Sequence, residues 1–163
     1  MRLIVPYLFL ALACFFDLEE RRIPNEITYG MFITGLLYQA LKDGLGAIPG
    51  VLGWTAVCLG LVAILSKAFR LGGGDIKLAM ASAAWLREYT PVALFIAFSL
   101  IIVWTVVLAV KKYGVRNLLN SILLEALYHT KLNLGVQLPG AVFLALGYAI
   151  ADCLWNETVI ILA

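Results

Sequence analysis

The chain has 163 residues, of which 63% are hydrophobic and only 13% charged, and its mean hydropathy is +0.98. A soluble domain is roughly 45–50% apolar and about 25% charged, so this composition excludes an ordinary water-soluble globule and assigns the chain to the lipid bilayer. A net charge of +2 is too small to argue for nucleic acid. The lone His129 and the scattered Cys14, Cys58 and Cys153 offer no C-x-x-C pair and no histidine cluster, so no metal and no cofactor are expected.

Apolar runs, each needing about 20 residues to cross the hydrocarbon core, mark spans at roughly 3–20, 26–42, 47–66, 72–87, 91–110 and 136–155. The first begins as a signal-peptide-like run from Leu3 to Phe16 and is read as the first membrane helix. It meets Asp17 near its end. Pro24 and Asn25 then stop and restart the chain, with Asn25 expected as the cap of the second helix and Glu26 in its first turn. Gly46, Gly50, Gly53 and Gly60 lie near one edge of the third span and are expected to permit close helix packing. The fourth span opens on "LGGGDIKL", with Gly72, Gly73 and Gly74 directly ahead of Asp75. Lys77, two positions later, is expected to point away from the face that carries Asp75. After the fifth span, Leu118, Leu119, Ile122, Leu123 and Ala126 recur at helical spacing opposite Asn117, Asn120, Ser121 and Glu125. That pattern fits either an interfacial amphipathic helix or a short helix packed on the bundle. Near the C-terminus, Asp152 is expected at the membrane interface, and the three cysteines are read as small buried hydrophobes. The expected fold is therefore an all-α membrane protein. It is a polytopic bundle of about six transmembrane helices, formed by residues 1–163 as one integral membrane domain, with an amphipathic interfacial helix before the last span.

Orientation follows from the basic residues. Arg21, Arg22, Lys67, Arg70, Lys77, Lys111, Lys112, Arg116 and Lys131, nine of the 12, fall in the first, third and fifth connections. Those loops are expected on the cytoplasmic side and both termini on the other. Asp17 and Asp75 then reach the same membrane face.

A carboxylate inside a span is costly and a functional candidate by default. Two of them within a few ångströms cannot both ionise, so they share a proton. One member can then deprotonate water while the other polarises a carbonyl, which is what aspartic proteolysis needs. Gly72, Gly73 and Gly74 would let an extended foreign strand approach closely. Asp75 at a helix N-terminus is expected to be the more readily ionised, leaving Asp17 as the acid. Glu19, Glu20 and Glu26 could attract a basic segment, although Arg21 and Arg22 beside them also fit a self-compensating loop. A small ion-coupled carrier with intramembrane aspartates is the alternative, although the second half of the chain has no counterpart to "GGGD".

"GGGDIKL" at Gly72–Leu78 resembles the G-x-G-D signature of intramembrane aspartic proteases, and its continuation is similar to that of type IV prepilin peptidases. "DLEERRIPN" at Asp17–Asn25 resembles the D-x3-R-x-I-P-N segment of the short members, and "LPGAVFLALGYAI" at Leu138–Ile150 their small-residue-rich final helix. The resemblance implies catalytic roles for Asp17 and Asp75, with Gly72, Gly73, Gly74, Pro24 and Asn25 beside the substrate. It implies a pilin-like precursor as the protein partner, cleaved at the cytoplasmic face of a prokaryotic inner membrane. Longer members add a four-cysteine zinc motif and methyltransferase activity; this chain shows no such motif, so neither is expected.

Overall fold

A computed structural model describes residues 4–69, 72–114 and 140–162, and within them the regular structure is entirely helical. The helices are α1 (Ile4–Glu19), α2 (Asn25–Asp43), α3 (Ile48–Phe69), α4 (Gly73–Leu86), α5 (Thr90–Tyr113) and α6 (Gly140–Leu162), with short 3-10 turns at Leu45–Ala47 and Arg87–Tyr89. These bounds follow the six apolar runs. The stretches Leu45–Leu65 and Gly73–Lys112 are long and apolar enough to cross a membrane. The second is interrupted at Arg87, whose positive φ of 51° ends α4. The amphipathic segment expected at 117–126 lies outside the described residues, as does His129.

Contacts divide the chain into two units, Met1–Phe98 with Pro139–Ala163, and Ser99–Leu138. In the second unit the described part is the later half of α5. It closes on Gly114, whose φ of 78° and N–H bond to the Val110 carbonyl form a left-handed cap. Lys111 and Lys112 in its last turn complement the negative end of the helix dipole.

The first unit is organised around α4. From Leu78 to Leu86 nearly every side chain of this helix is buried, and most are small: Ala79, Ala81, Ser82, Ala83 and Ala84. Small side chains let α2, α3 and α6 approach it from different sides. α2 comes close at Gly35, where an added Cβ would sit 2.8 Å from the Trp85 indole nitrogen and 2.9 Å from the Ala84 methyl. Trp85 then donates to the Met31 carbonyl at 2.9 Å and stacks on Tyr38 with ring centroids 5.2 Å apart. Gln39, wholly buried, donates at 3.4 Å to the Trp85 carbonyl, one of the groups that the end of α4 leaves unpaired. Arg87 and Asp43 close this end with an ion pair of 2.8 Å.

Outward faces are apolar. Ile4, Leu8 and Leu12 on α1, and Ile33, Leu37 and Leu41 on α2, repeat at four-residue spacing and are all exposed. Ile64 is 70% exposed and Phe95 74%, while Thr28, Gln39, Thr55, Ser82 and Thr90 are buried. A water-soluble protein hides contiguous apolar surface of this extent, so these faces meet lipid. The protein is a membrane protein.

Several local expectations change. The glycines of the third span are not close-packing sites among the described residues: a Cβ at Gly46, Gly53 or Gly60 meets nothing within 4 Å, and one at Gly50 only the Arg87 guanidinium at 3.9 Å. Close approach occurs instead at Gly35 and at Gly147 of α6, where a Cβ would collide with the Ala93 carbonyl. Spacing on one helix does not reveal which edge faces a neighbour, and that caused the difference. Cys58 is buried as expected and donates weakly to the Ala79 carbonyl at 3.3 Å, but Cys153 is exposed. Asp152, expected at the interface, is buried on α6 against α1.

Gly35→Val should destabilise the protein by about 1–3 kcal/mol through overpacking at the α2–α4 contact. Gly53→Ala should change stability by no more than about 0.5 kcal/mol. Thermal melts in detergent micelles would compare the two; equal losses would place the close contact on α3 after all.

Candidate active site

Asp17 lies in the last turn of α1, where the dipole of its own helix opposes a carboxylate. The opposing donor comes from elsewhere. The backbone N–H of Ala141, in the first turn of α6, donates to Asp17 Oδ2 at 3.0 Å. Asp75 is the third residue of α4, and its carboxylate accepts the backbone N–H of Gly72, the residue that caps this helix. That is one half of a capping box. Asp75 Oδ1 is buried and has no hydrogen-bond partner among the described residues. The charge of Asp17 acts on Asp75 across the site.

Gly140 holds the two together. A Cβ at this position would lie 2.5 Å from the Asp75 carboxyl carbon, so the start of α6 can occupy its place only without a side chain. One helix N-terminus therefore touches both carboxyl groups, Asp75 at Gly140 and Asp17 at Ala141.

The two aspartates line a cleft of about 340 Å3 with Arg21, Arg22, Ile23, Asn25, Gly72, Gly73, Gly74 and Lys77. The three glycines differ from one another. Gly72 is extended, with φ −67° and ψ 151°, and Gly73 and Gly74 already belong to α4 rather than to a loop. A Cβ at Gly74 would meet the buried Ile23 side chain at 3.2 Å, whereas one at Gly73 would meet nothing within 4 Å among the described residues. Open space in the cleft thus lies over Gly73. Arg21, in the turn between α1 and α2, adopts a φ of 52°. Such a backbone costs a non-glycine residue about 1 kcal/mol or more and is common at functional sites.

Of the residues expected at the site, Asp17, Asp75, Gly72, Gly73, Gly74 and Asn25 all line the cleft, and Pro24 does not. Pro24 takes the capping position of α2 that was expected of Asn25, and no side chain caps this end. The Asn25 side chain turns into the cleft, where its Oδ1 accepts from Lys77 Nζ at 2.7 Å. Lys77 consequently faces the site, contrary to the expectation from its spacing. Its long stem reaches back over the first turn of α4, a freedom that Cβ direction alone does not capture. Gly140 and Ala141 had no signal beyond a Pro-Gly step ahead of an apolar run. Nothing in the spacing connects residue 140 with residues 17 and 75.

The sequence matches the type IV leader peptidase family over residues 4–106. The chain belongs to that family. Searches of curated proteins and of solved structures returned no match. The matched region contains Asp17, Asp75 and every residue lining the cleft, while the α6 residues that complete the site lie beyond it.

Gly140→Ala would push a methyl group onto the Asp75 carboxyl, and displacements of about 1 Å in a catalytic site cost on the order of 100-fold. Peptidase activity should fall by about that factor, with the helical circular-dichroism signal retained. Parental activity in this variant would show that α6 does not hold the aspartates.

Proposed function

We propose that this family member is an aspartic endopeptidase that removes a short basic leader from pilin-like precursors at the cytoplasmic face of the membrane. The observation that carries the reading is the convergence of Asp17 and Asp75 on one cleft and on one helix N-terminus.

Two adjacent carboxyl groups share one proton. The ionised member takes a proton from a water molecule as the water oxygen attacks the scissile carbonyl carbon. The protonated member gives its proton to the carbonyl oxygen, which yields a neutral tetrahedral diol. Collapse then breaks the C–N bond. A proton passes to the leaving amine, and the shared proton is restored to the pair. Each carboxylate has its own helix-terminal donor, Ala141 N–H for Asp17 and Gly72 N–H for Asp75, so position in a helix does not by itself assign acid and base.

An extended substrate would lie over Gly73, where no side chain intervenes. The first backbone N–H groups of α4 have no partner within the helix and can donate to the carbonyls of a strand. Exposed Glu19, Glu20 and Glu26 near the cleft suit a basic leader. Arg21, Arg22 and Lys77 line the cleft itself, and Asn25 fixes the lysine there. About six spans, with both termini outside and the cleft facing the cytoplasm, agree with the distribution of basic residues. Membership of a peptidase family favours this reading over an ion-coupled carrier.

The test is cleavage, in proteoliposomes, of a precursor that joins a Lys/Arg-rich leader to an apolar helix of about 20 residues. Asp17→Asn and Asp75→Asn preserve shape and remove ionisation. Each should lower processing by about 100- to 10,000-fold, the range for a lost acid–base group. Normal processing by either variant would sink the shared-proton mechanism. Separately, cysteine labelling at Arg21 or Lys111 should occur only from the cytoplasmic side; labelling from outside would reverse the topology and leave the chemistry intact.

A further inference from the structure

Asp152 is an ionisable residue that the chemistry above does not use. It is 8% exposed, on a helix whose neighbouring Leu146, Ile150 and Leu154 face outward. The Tyr7 hydroxyl of α1 donates to Asp152 Oδ2 at 3.2 Å. The Tyr148 ring stands edge-on to Tyr7, with centroids 5.5 Å apart and planes at 87°. A buried carboxyl on a lipid-embedded helix is a functional candidate by default, and one partner of this one belongs to the helix that carries Asp17.

The same two helices meet a second time at the cleft, through the Ala141 N–H bond to Asp17. Ten positions on α1 separate Tyr7 from Asp17, and eleven on α6 separate Ala141 from Asp152. At a rise of about 1.5 Å per residue these are about 15 Å and about 16.5 Å of helix. The two polar contacts therefore tie antiparallel helices at matched heights. Between them the contact is apolar, involving residues such as Leu10, Ala13 and Leu144, and apolar packing tolerates axial sliding far better than a directional bond does. A slip of one residue turns a helix by about 100° and moves it about 1.5 Å. Either change would break the bond at Asp17 and drive α6 off Gly140's contact with Asp75.

We infer that Tyr7 and Asp152 form a positioning clasp, which sets the register of α6 against α1 and so places the Gly140–Ala141 terminus between the two aspartates. The inference rests on the two-aspartate reading. Neither clasp residue touches substrate; both act through the start of α6.

The experiment is steady-state cleavage of the same leader–helix precursor by reconstituted enzyme, with rates normalised to folded protein. Tyr7→Phe removes the donor and keeps the ring against Tyr148. It should lower kcat about three- to tenfold at unchanged KM, as expected for one lost hydrogen bond acting indirectly. Asp152→Asn keeps an oxygen acceptor and should hold kcat within about twofold of the parent. Asp152→Leu should reproduce the Tyr7→Phe loss, and the double variant should lose no more than either single one. Should Asp152→Leu fail to fold, Tyr7→Phe and the Asp152→Asn rescue still decide the matter. Parental kcat in Tyr7→Phe, a change confined to KM, or a loss seen only in folded yield would each overturn the clasp. These results are distinguishable from failure of the dyad, which would appear as normal processing by Asp17→Asn.

Discussion

In a lipid-embedded helical protein the backbone has almost no hydrogen bonds to spare, because each helix consumes its own N–H groups internally. The exceptions are the first turns. The site described above obeys that constraint. Asp75 takes its donor from the start of α4, at Gly72, and Asp17 takes its donor from the start of α6, at Ala141. Asp17 has no alternative on its own element, since it ends α1 and faces the unfavourable pole of that helix. Two carboxyl groups can be gathered in such a fold only where helix N-termini are gathered, and α4 and α6 both begin at this cleft.

Bringing α6 that close depends on what surrounds it. α4 is the most enclosed helix of the first unit, and its alanines and serine leave room for partners rather than filling space themselves. Gly35 admits the Trp85 indole, Gly147 admits the backbone at Ala93, and Gly140 admits the Asp75 carboxyl. In each case the missing methyl belongs to the helix that approaches. Lipid supplies no hydrophobic force between helices, so association relies on contact of this closeness and on polar bonds such as Gln39 to Trp85.

How far the sequence discloses this arrangement depends on whether the signal is local. Apolar runs are local, and the described helices were legible from them, to within three residues at every end except those of the last, which begins four residues later and ends seven residues later than expected. Asp17 and Asp75 line one cleft, and the basic residues in the connections had led to the expectation of a shared end without any knowledge of packing. Helix orientation about its own axis was not legible. That is why Gly46, Gly53 and Gly60 were expected at an interface that they do not reach, and why Lys77 was expected to turn away from the cleft it lines. Asn25 shows a subtler limit. Its side chain suits a capping role, but Lys77, 52 positions later, offers a charged donor that outcompetes a local backbone bond. The part played by Gly140 depends on a contact across 65 positions, and no periodicity encodes it.

The glycine triplet illustrates how an apparent motif divides once each position is placed. Gly74 is small because Ile23 stands against it, which is a packing reason. Gly72 serves as the cap whose N–H steadies Asp75, a task that any residue in extended conformation performs through its backbone. Only Gly73 faces open space beside the aspartates. Among the described residues no contact requires its absent side chain, which on the proposed function leaves room for an extended substrate. On that reading an extended backbone lying there would meet the N–H groups of the α4 first turn, which have no partner within the helix. On the proposed function, glycine at position 73 concerns access, while at position 74 it concerns packing against Ile23.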